Sequence, residues 1–224
     1  MIIFLLFLSI LLVFSASPKC PHGFPLHFER KPTALNNYTK DWCIAVVEYE
    51  GMGNRDRARS ICITINATLT MPENKEEFIA IAKHVQARNK STPHAIDGEF
   101  TPRCKVEMYR NQEFNGTAEK GECNVHNHLF NFDDVNTDPT FILSHFTGGV
   151  PNARGSNYGT GHPTFQYVAD CLVLENTKSP NYTAPIGVTD LAYCVGAASV
   201  KTYTGSLFDL KREISSVLCG KRPE

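Results

Sequence analysis

Residues 41–85 read DWCIAVVEYEGMGNRDRARSICITINATLTMPENKEEFIAIAKHV, and the order of signals in this stretch decides the fold class. Asp41 to Tyr49 is dense in β-branched and aromatic residues and predicts a strand, stopped by Gly51 and Gly53. Asn54 then caps a helix in which Ala58, Ile61, Cys62 and Ile65 fall at i, i+3, i+4 and i+7. That stripe turns Cys62 toward the core and Arg55, Arg57 and Arg59 outward. A second helix begins at Asn74, with Glu77 three residues on in capping-box position, and Phe78, Ile81, Ala82 and Val85 repeat the apolar spacing.

Downstream of these helices the pattern loosens. Between Pro93 and Pro163 Gly, Pro, Asn and Asp are frequent and the apolar runs short, which predicts a long irregular stretch with Cys104 and Cys123 inside it. Strand signals return at Tyr167 to Leu174, Leu191 to Val195 and Ser216 to Cys219. Strand, two helices, long loop and late strands make an α+β plan rather than alternating β/α units.

Upstream, the first seventeen residues carry no charge and end in small residues before Lys19, the pattern of a cleaved signal peptide, shorter than the roughly 20 residues of a spanning helix. Localisation is therefore expected to be extracellular, with no membrane insertion after signal removal. The eight cysteines, at 20, 43, 62, 104, 123, 171, 194 and 219, are an even set in a chain so routed and are read as disulfides, since no Cys-x2-Cys pair suggests zinc. Sequons at Asn37, Asn66, Asn89, Asn115 and Asn181 agree and predict glycosylated, solvent-facing asparagines. A net charge of −1 with dispersed acids and bases excludes nucleic acid as a partner class.

Several pieces together resemble the C-type lectin-like domain, in a nematode-style branch with an extra cysteine pair. They are Cys20-Pro21-x-Gly23, Trp42-Cys43, Ala58 with Cys62, Asn74-x-x-Glu77-Phe78-Ile79, an Ile96-Asp97-Gly98 turn before Cys104, Phe130-x-Phe132-Asp133-Asp134, Gly149-Val150-Pro151-Asn152, Ala169 to Leu174, Asp190 to Cys194 and Val217 to Lys221. The resemblance implies two helices packed on small antiparallel sheets, with residues 18–224 as a single such domain carrying an extended loop insertion at about 93–165, after a signal peptide at 1–17. It also implies the pairings Cys20–Cys43, Cys62–Cys219, Cys104–Cys123 and Cys171–Cys194.

Sugar-binding members of that family hold calcium through oxygen ligands around the loop proline and in the penultimate cysteine strand. Here Val150 stands before Pro151 and offers no side-chain oxygen, so Asn152 and Asp190 are the only ligands the resemblance carries over, and Asp190 lies one residue farther from its cysteine than usual. Calcium takes about six to eight oxygens, so the expectation is no cofactor, with calcium at Asn152 and Asp190 as the alternative. Tyr158, in a glycine-rich stretch, is a third ligand-contact candidate, whereas Trp42 is expected in the core. His126 and His128 with Asp133 and Asp134 form a conceivable transition-metal set. No nucleophile–base motif is present. The chain is thus expected to be no enzyme but a binding protein for a glycan or an extracellular protein, the alternatives being calcium-dependent sugar recognition or a structural or inhibitory role.

Overall fold

The computed structural model describes residues 18–49, 55–87, 94–104, 123, 129–145, 171–175, 188–192 and 216–224. In chain order these form β1 (Leu26–Glu29), β2 (Asp41–Glu48), α1 (Arg55–Thr64), β3 (Thr68–Leu69), α2 (Lys75–Gln86), β4 (His94–Phe100), β5 (Phe130–Asn131), the one-turn α3 (Thr140–Leu143), β6 (Cys171–Glu175), β7 (Val188–Ala192) and β8 (Ser216–Lys221). The sheet runs β1-β2-β8-β4-β6-β7, with β3 added to β8 and β5 to β4. β4 and β8 pair in parallel and the other pairs are antiparallel.

β2 shows why both helices are needed. Side chains alternate across a strand, and Trp42, Ile44 and Val46 enter one apolar cluster with Phe78, Ile81 and Val85 of α2. Cys43 and Ala45 enter another with Ala58 and Cys62 of α1. A strand buried on both faces reads as a continuous apolar run, as residues 42–47 do. The α2 stripe is buried as expected at Phe78, Ile81, Ala82 and Val85. Trp42 is 1% exposed, in the core, where its Nε1 donates to Thr70.

α1 departs from its expected orientation in one respect. Arg55 does not point outward: it is 5% exposed, beside Ala58 and Cys62 at 0%. Positions 55, 58 and 62 are i, i+3 and i+7, so the buried stripe begins one turn before the first apolar residue, and carboxylates far along the chain make that possible. Arg57 does face solvent, with its guanidinium 5.8 Å from the Tyr49 ring centre. Ile65 leaves the stripe, at 37% exposed, because the helix stops at Thr64. There Asn66 adopts φ 52°, its N–H bonds to Ile63 O, and the Ala67 N–H reaches Cys62 O at 2.9 Å, a Schellman ending. Asn54, expected to cap α1, lies outside the described residues.

The α2 cap is half of the expected box. Asn74 Oδ1 accepts from Glu77 N–H at 2.9 Å, but the Glu77 carboxylate accepts from Glu73 N–H rather than from Asn74. Both Glu77 oxygens also bind the Arg30 guanidinium at 2.7 Å, and that buried cation sets their position.

The region beyond Pro93 is corrected most. β4 occupies 94–100 in the middle of the sheet, so the stretch expected to be irregular opens with a central strand, and Ile96-Asp97-Gly98 lies inside it rather than forming a turn. Asp and Gly are strand-poor residues, and both are here for a bulge: the register on β6 shifts between Ala95 and Glu99, and Gly98 has φ +125°. A Cβ at Gly98 would stand 2.4 Å from Leu172 Cδ1. Gly98→Ala is therefore expected to cost about 2 kcal/mol or more, from a forbidden φ and overpacking together. The urea unfolding midpoint measures this.

At the end of the chain the strands shift by a few residues from their expected bounds. β6 is described from Cys171, residues 167–170 lying outside the described set, and β7 runs from Val188 to Ala192, earlier than expected. β8 continues to Lys221 because β2 pairs with it through Cys43↔Lys221. Disulfides join Cys20 to Cys43, Cys62 to Cys219 and Cys104 to Cys123, as the resemblance implies. Cys171 is also oxidised, and its expected partner Cys194 lies outside the described residues.

Candidate functional site

Of the three residues expected to meet a ligand, the fold places one. Asp190 sits in β7, opposite Val173 of β6, at the end of the sheet path. On the facing strand β6, Leu172, Val173 and Leu174 are all buried. Asn152 and Tyr158 lie outside the described residues, as do the sequons Asn89, Asn115 and Asn181 and the pair His126 and His128. Asn37 and Asn66 are exposed, as sequon asparagines are expected to be.

Beside the sheet lies a polar network that the sequence did not reveal. Asp97, fully buried, accepts from the backbone N–H groups of Gly98 (2.9 Å), Asp133 (2.7 Å) and Asp134 (2.7 Å) and from the Arg55 guanidinium (2.9 Å). Asp133 in turn takes Arg55 at 3.1 Å and Arg59 at 2.6 Å. Asp134 accepts from the hydroxyls of Thr70 and Thr137 and from Asn136 N–H. Arg30, 5% exposed, binds Glu77, the Asn136 carbonyl and Thr137, and stacks 5.2 Å from the Trp42 ring centre.

These contacts determine what the carboxylates can do. Asp97 and Asp134 have their oxygens filled by internal donors, and Asp133 is held between two arginines, so the pair considered for metal ligation instead pins the 133–137 loop to β4 and α1. Among the described residues no group of three His, Cys, Asp or Glu side chains could hold a metal ion. A sequence signal for the network did exist, in the acidic residue between apolar Ile96 and strand-breaking Gly98. Its partner was invisible, because Arg55 lies 42 positions away.

Protonation in this interior follows burial. Desolvation pushes the Asp97 carboxyl up to about 6, against the opposing pull of the Asp134 N–H and of Arg55. Burial also drives the His94 imidazole down to about 4, opposed by the charge of Glu48. His94 Nδ1 meets the Ser216 hydroxyl, and its Nε2 is buried without a partner. Although this is an imidazole beside a hydroxyl, His94 is 1% and Ser216 2% exposed, so no substrate reaches them.

The two shifts act on stability in opposite senses. The unfolded chain takes up a proton at His94 first, so the stability from burying neutral imidazole is full above about pH 6.5 and is lost as pH falls toward 4. The folded state holds the Asp97 proton to higher pH, so that contribution is lost as pH rises from 3.8 through about 6. Urea midpoints of wild type and His94→Gln, taken from pH 4 to 6.5, separate them. The wild-type advantage should grow with pH by up to about 3 kcal/mol. A pH-independent difference would show that His94 titrates normally.

A second surface feature is an open cleft of about 360 Å³ lined by Trp42, Ile63, Asn66, Thr68, Asn136 and Arg222 among others. Its floor is tight: a Cβ on Gly220 would lie 2.5 Å from Trp42 Nε1.

The chain is similar to a protein family, to a curated relative and to several solved structures. The model of the C-type lectin domain-containing protein 141/158 family matches residues 27–222. C-type lectin domain-containing protein 158 of Caenorhabditis elegans is 25% identical over 139 residues, 59% of this chain and 62% of that protein, so the match spans about three-fifths of the relative's length. Among solved structures, the cow C-type carbohydrate-recognition domain of CD23, crystallised in the presence of GlcNAc2Man3 oligosaccharide, has a TM-score of 0.47 at 14% identity, covering 92% of this chain and 98% of that one. The mouse scavenger receptor C-type lectin carbohydrate-recognition domain has a TM-score of 0.42 at 16% identity, covering 83% and 94%. With the family model matched from β1 to the end of β8, the chain belongs to the C-type lectin domain-containing protein 141/158 family.

Proposed function

We propose that this is a secreted, extracellular lectin-like binding protein that recognises a glycan or a protein ligand without calcium. The observation that carries the calcium-free reading is Val150: the position before the loop proline, where a ligating carboxylate or carboxamide oxygen would be needed, holds an isopropyl group. Removing one oxygen from a site that needs about six to eight leaves Asn152 and Asp190 too few to hold a hard cation tightly. The extracellular assignment draws on the apolar run at residues 1–17, the five sequons and the oxidised cysteines. No helix among the described residues is long and apolar enough to cross a membrane.

Binding of the purified protein to a glycan array, with and without a calcium chelator, is the test. Binding that survives the chelator is the expected result. Binding abolished by chelator would restore calcium-dependent sugar recognition, with ligands elsewhere in residues 125–160 completing the set. Absence of glycan binding, together with one dominant protein recovered from the organism's secretions, would favour a protein ligand.

A further inference from the structure

We propose that the N-glycan on Asn66 is seated in the cleft beside it, so that its first sugars form part of the protein's own surface. This rests on the extracellular routing above and goes beyond it. The five sequons are equivalent in the sequence, but of the two described sequon asparagines, Asn37 and Asn66, it is Asn66 that lines this cleft.

Geometry directs the side chain there. Asn66 ends α1 in the left-handed conformation, φ 52°, fixed by the paired backbone bonds to Ile63 O and Cys62 O, so its Cβ direction is set by the fold rather than by a loose loop. Two residues on, Thr68 is tied into the sheet opposite Gly220, which joins one rim of the cleft to its floor. The lining suits the core of a glycan. Lys221, Arg222 and Asn136 give the cleft a polar wall, in which Arg222 donates to the Asn136 carboxamide oxygen at 3.0 Å and Lys221 to Glu224, and Ile63, 63% exposed, offers an apolar face to a sugar ring. The volume of about 360 Å³ lies within the roughly 300–1,000 Å³ of small-ligand sites. Asn37, the other described sequon, borders the cleft without lining it: its carboxamide donates to the lining residue Asn136 at 3.4 Å.

An asparagine at this helix ending also has a purely structural use, since Asn follows Gly as the residue that tolerates the left-handed position. The variants are chosen around that fact. Asn66→Gly keeps or improves the helix ending while removing the acceptor, and Thr68→Ala removes the sequon while leaving Asn66 in place. The full chain would be secreted from a eukaryotic host, mapped for glycan occupancy, and oxidised by hydroxyl radicals, with Ile63 as reporter and the similarly exposed Leu35 as reference.

Oxidation of Ile63 is expected to be several-fold slower in the wild-type glycoprotein than in either variant, with Leu35 unchanged. An occupied Asn66 with equal Ile63 oxidation in all three proteins would overturn the inference, as would a bare Asn66 in a chain glycosylated at other sequons. Retention of the chain inside cells with every sequon bare would overturn the routing itself.

Discussion

Replacing Cys62 and Cys219 together by alanine is expected to abolish recovery of folded protein from the medium. Both cysteines are fully buried, and their bond ties α1 to β8 across a sequence separation of 157. In the chain-entropy model, removing a cross-link of that span frees the unfolded chain by about 5 kcal/mol, comparable to the whole stability of a marginal domain at about 5–15 kcal/mol. Cys104 and Cys123, 19 apart, close a much shorter loop, and their loss is expected to cost about 3 kcal/mol. Denaturant midpoints and secreted yield of the two double variants decide the ordering. A larger loss from the shorter link would show that local geometry rather than loop closure dominates.

The second large effect is expected at Asp97. Asp97→Ala strips an acceptor from three backbone N–H groups and leaves the Arg55 guanidinium buried with its best partner gone. Breaking one side of a buried ion pair costs about 3–5 kcal/mol because the remaining charge stays desolvated. Some compensation comes from Asp133 and Glu99, at 3.1 and 3.5 Å from Arg55. Asp97→Asn, which keeps the shape and one acceptor oxygen, is expected to lose less. Urea unfolding of both variants measures the difference, and a loss below about 1 kcal/mol for the alanine would mean that the network contributes little.

These two sites mark the limits of what the sequence makes legible. β2, α2 and the core face of α1 follow from apolar periodicity, which is a local property, and Cys62 could be placed on that face from residues 58–62 alone. Arg55 could not. An arginine on a helix is exposed by default, and only a carboxylate brought up by β4 reverses that. β4 itself was missed because Asp97 and Gly98 carry turn chemistry, while its burial comes from β8 and β6, neighbours distant in the chain. Pairings of that range leave no periodic trace. The proposed ligand region was legible to a different degree: Asp190 stands on β7, whereas Asn152 and Tyr158 are candidates from the sequence alone, and the valine before Pro151 remains the strongest statement about the proposed chemistry.

Calcium titration by thermal unfolding tests that statement most directly. A ligand that binds only the folded state stabilises it by RT ln(1 + [L]/Kd), about 2.7 kcal/mol at 100 times Kd. Extracellular calcium modules bind at about 0.1–1 mM, so on the order of 10 mM calcium would reveal a site. The expected result is a melting temperature unchanged by calcium in both wild type and Asp190→Ala. A rise in wild type that disappears in Asp190→Ala would contradict the calcium-free reading.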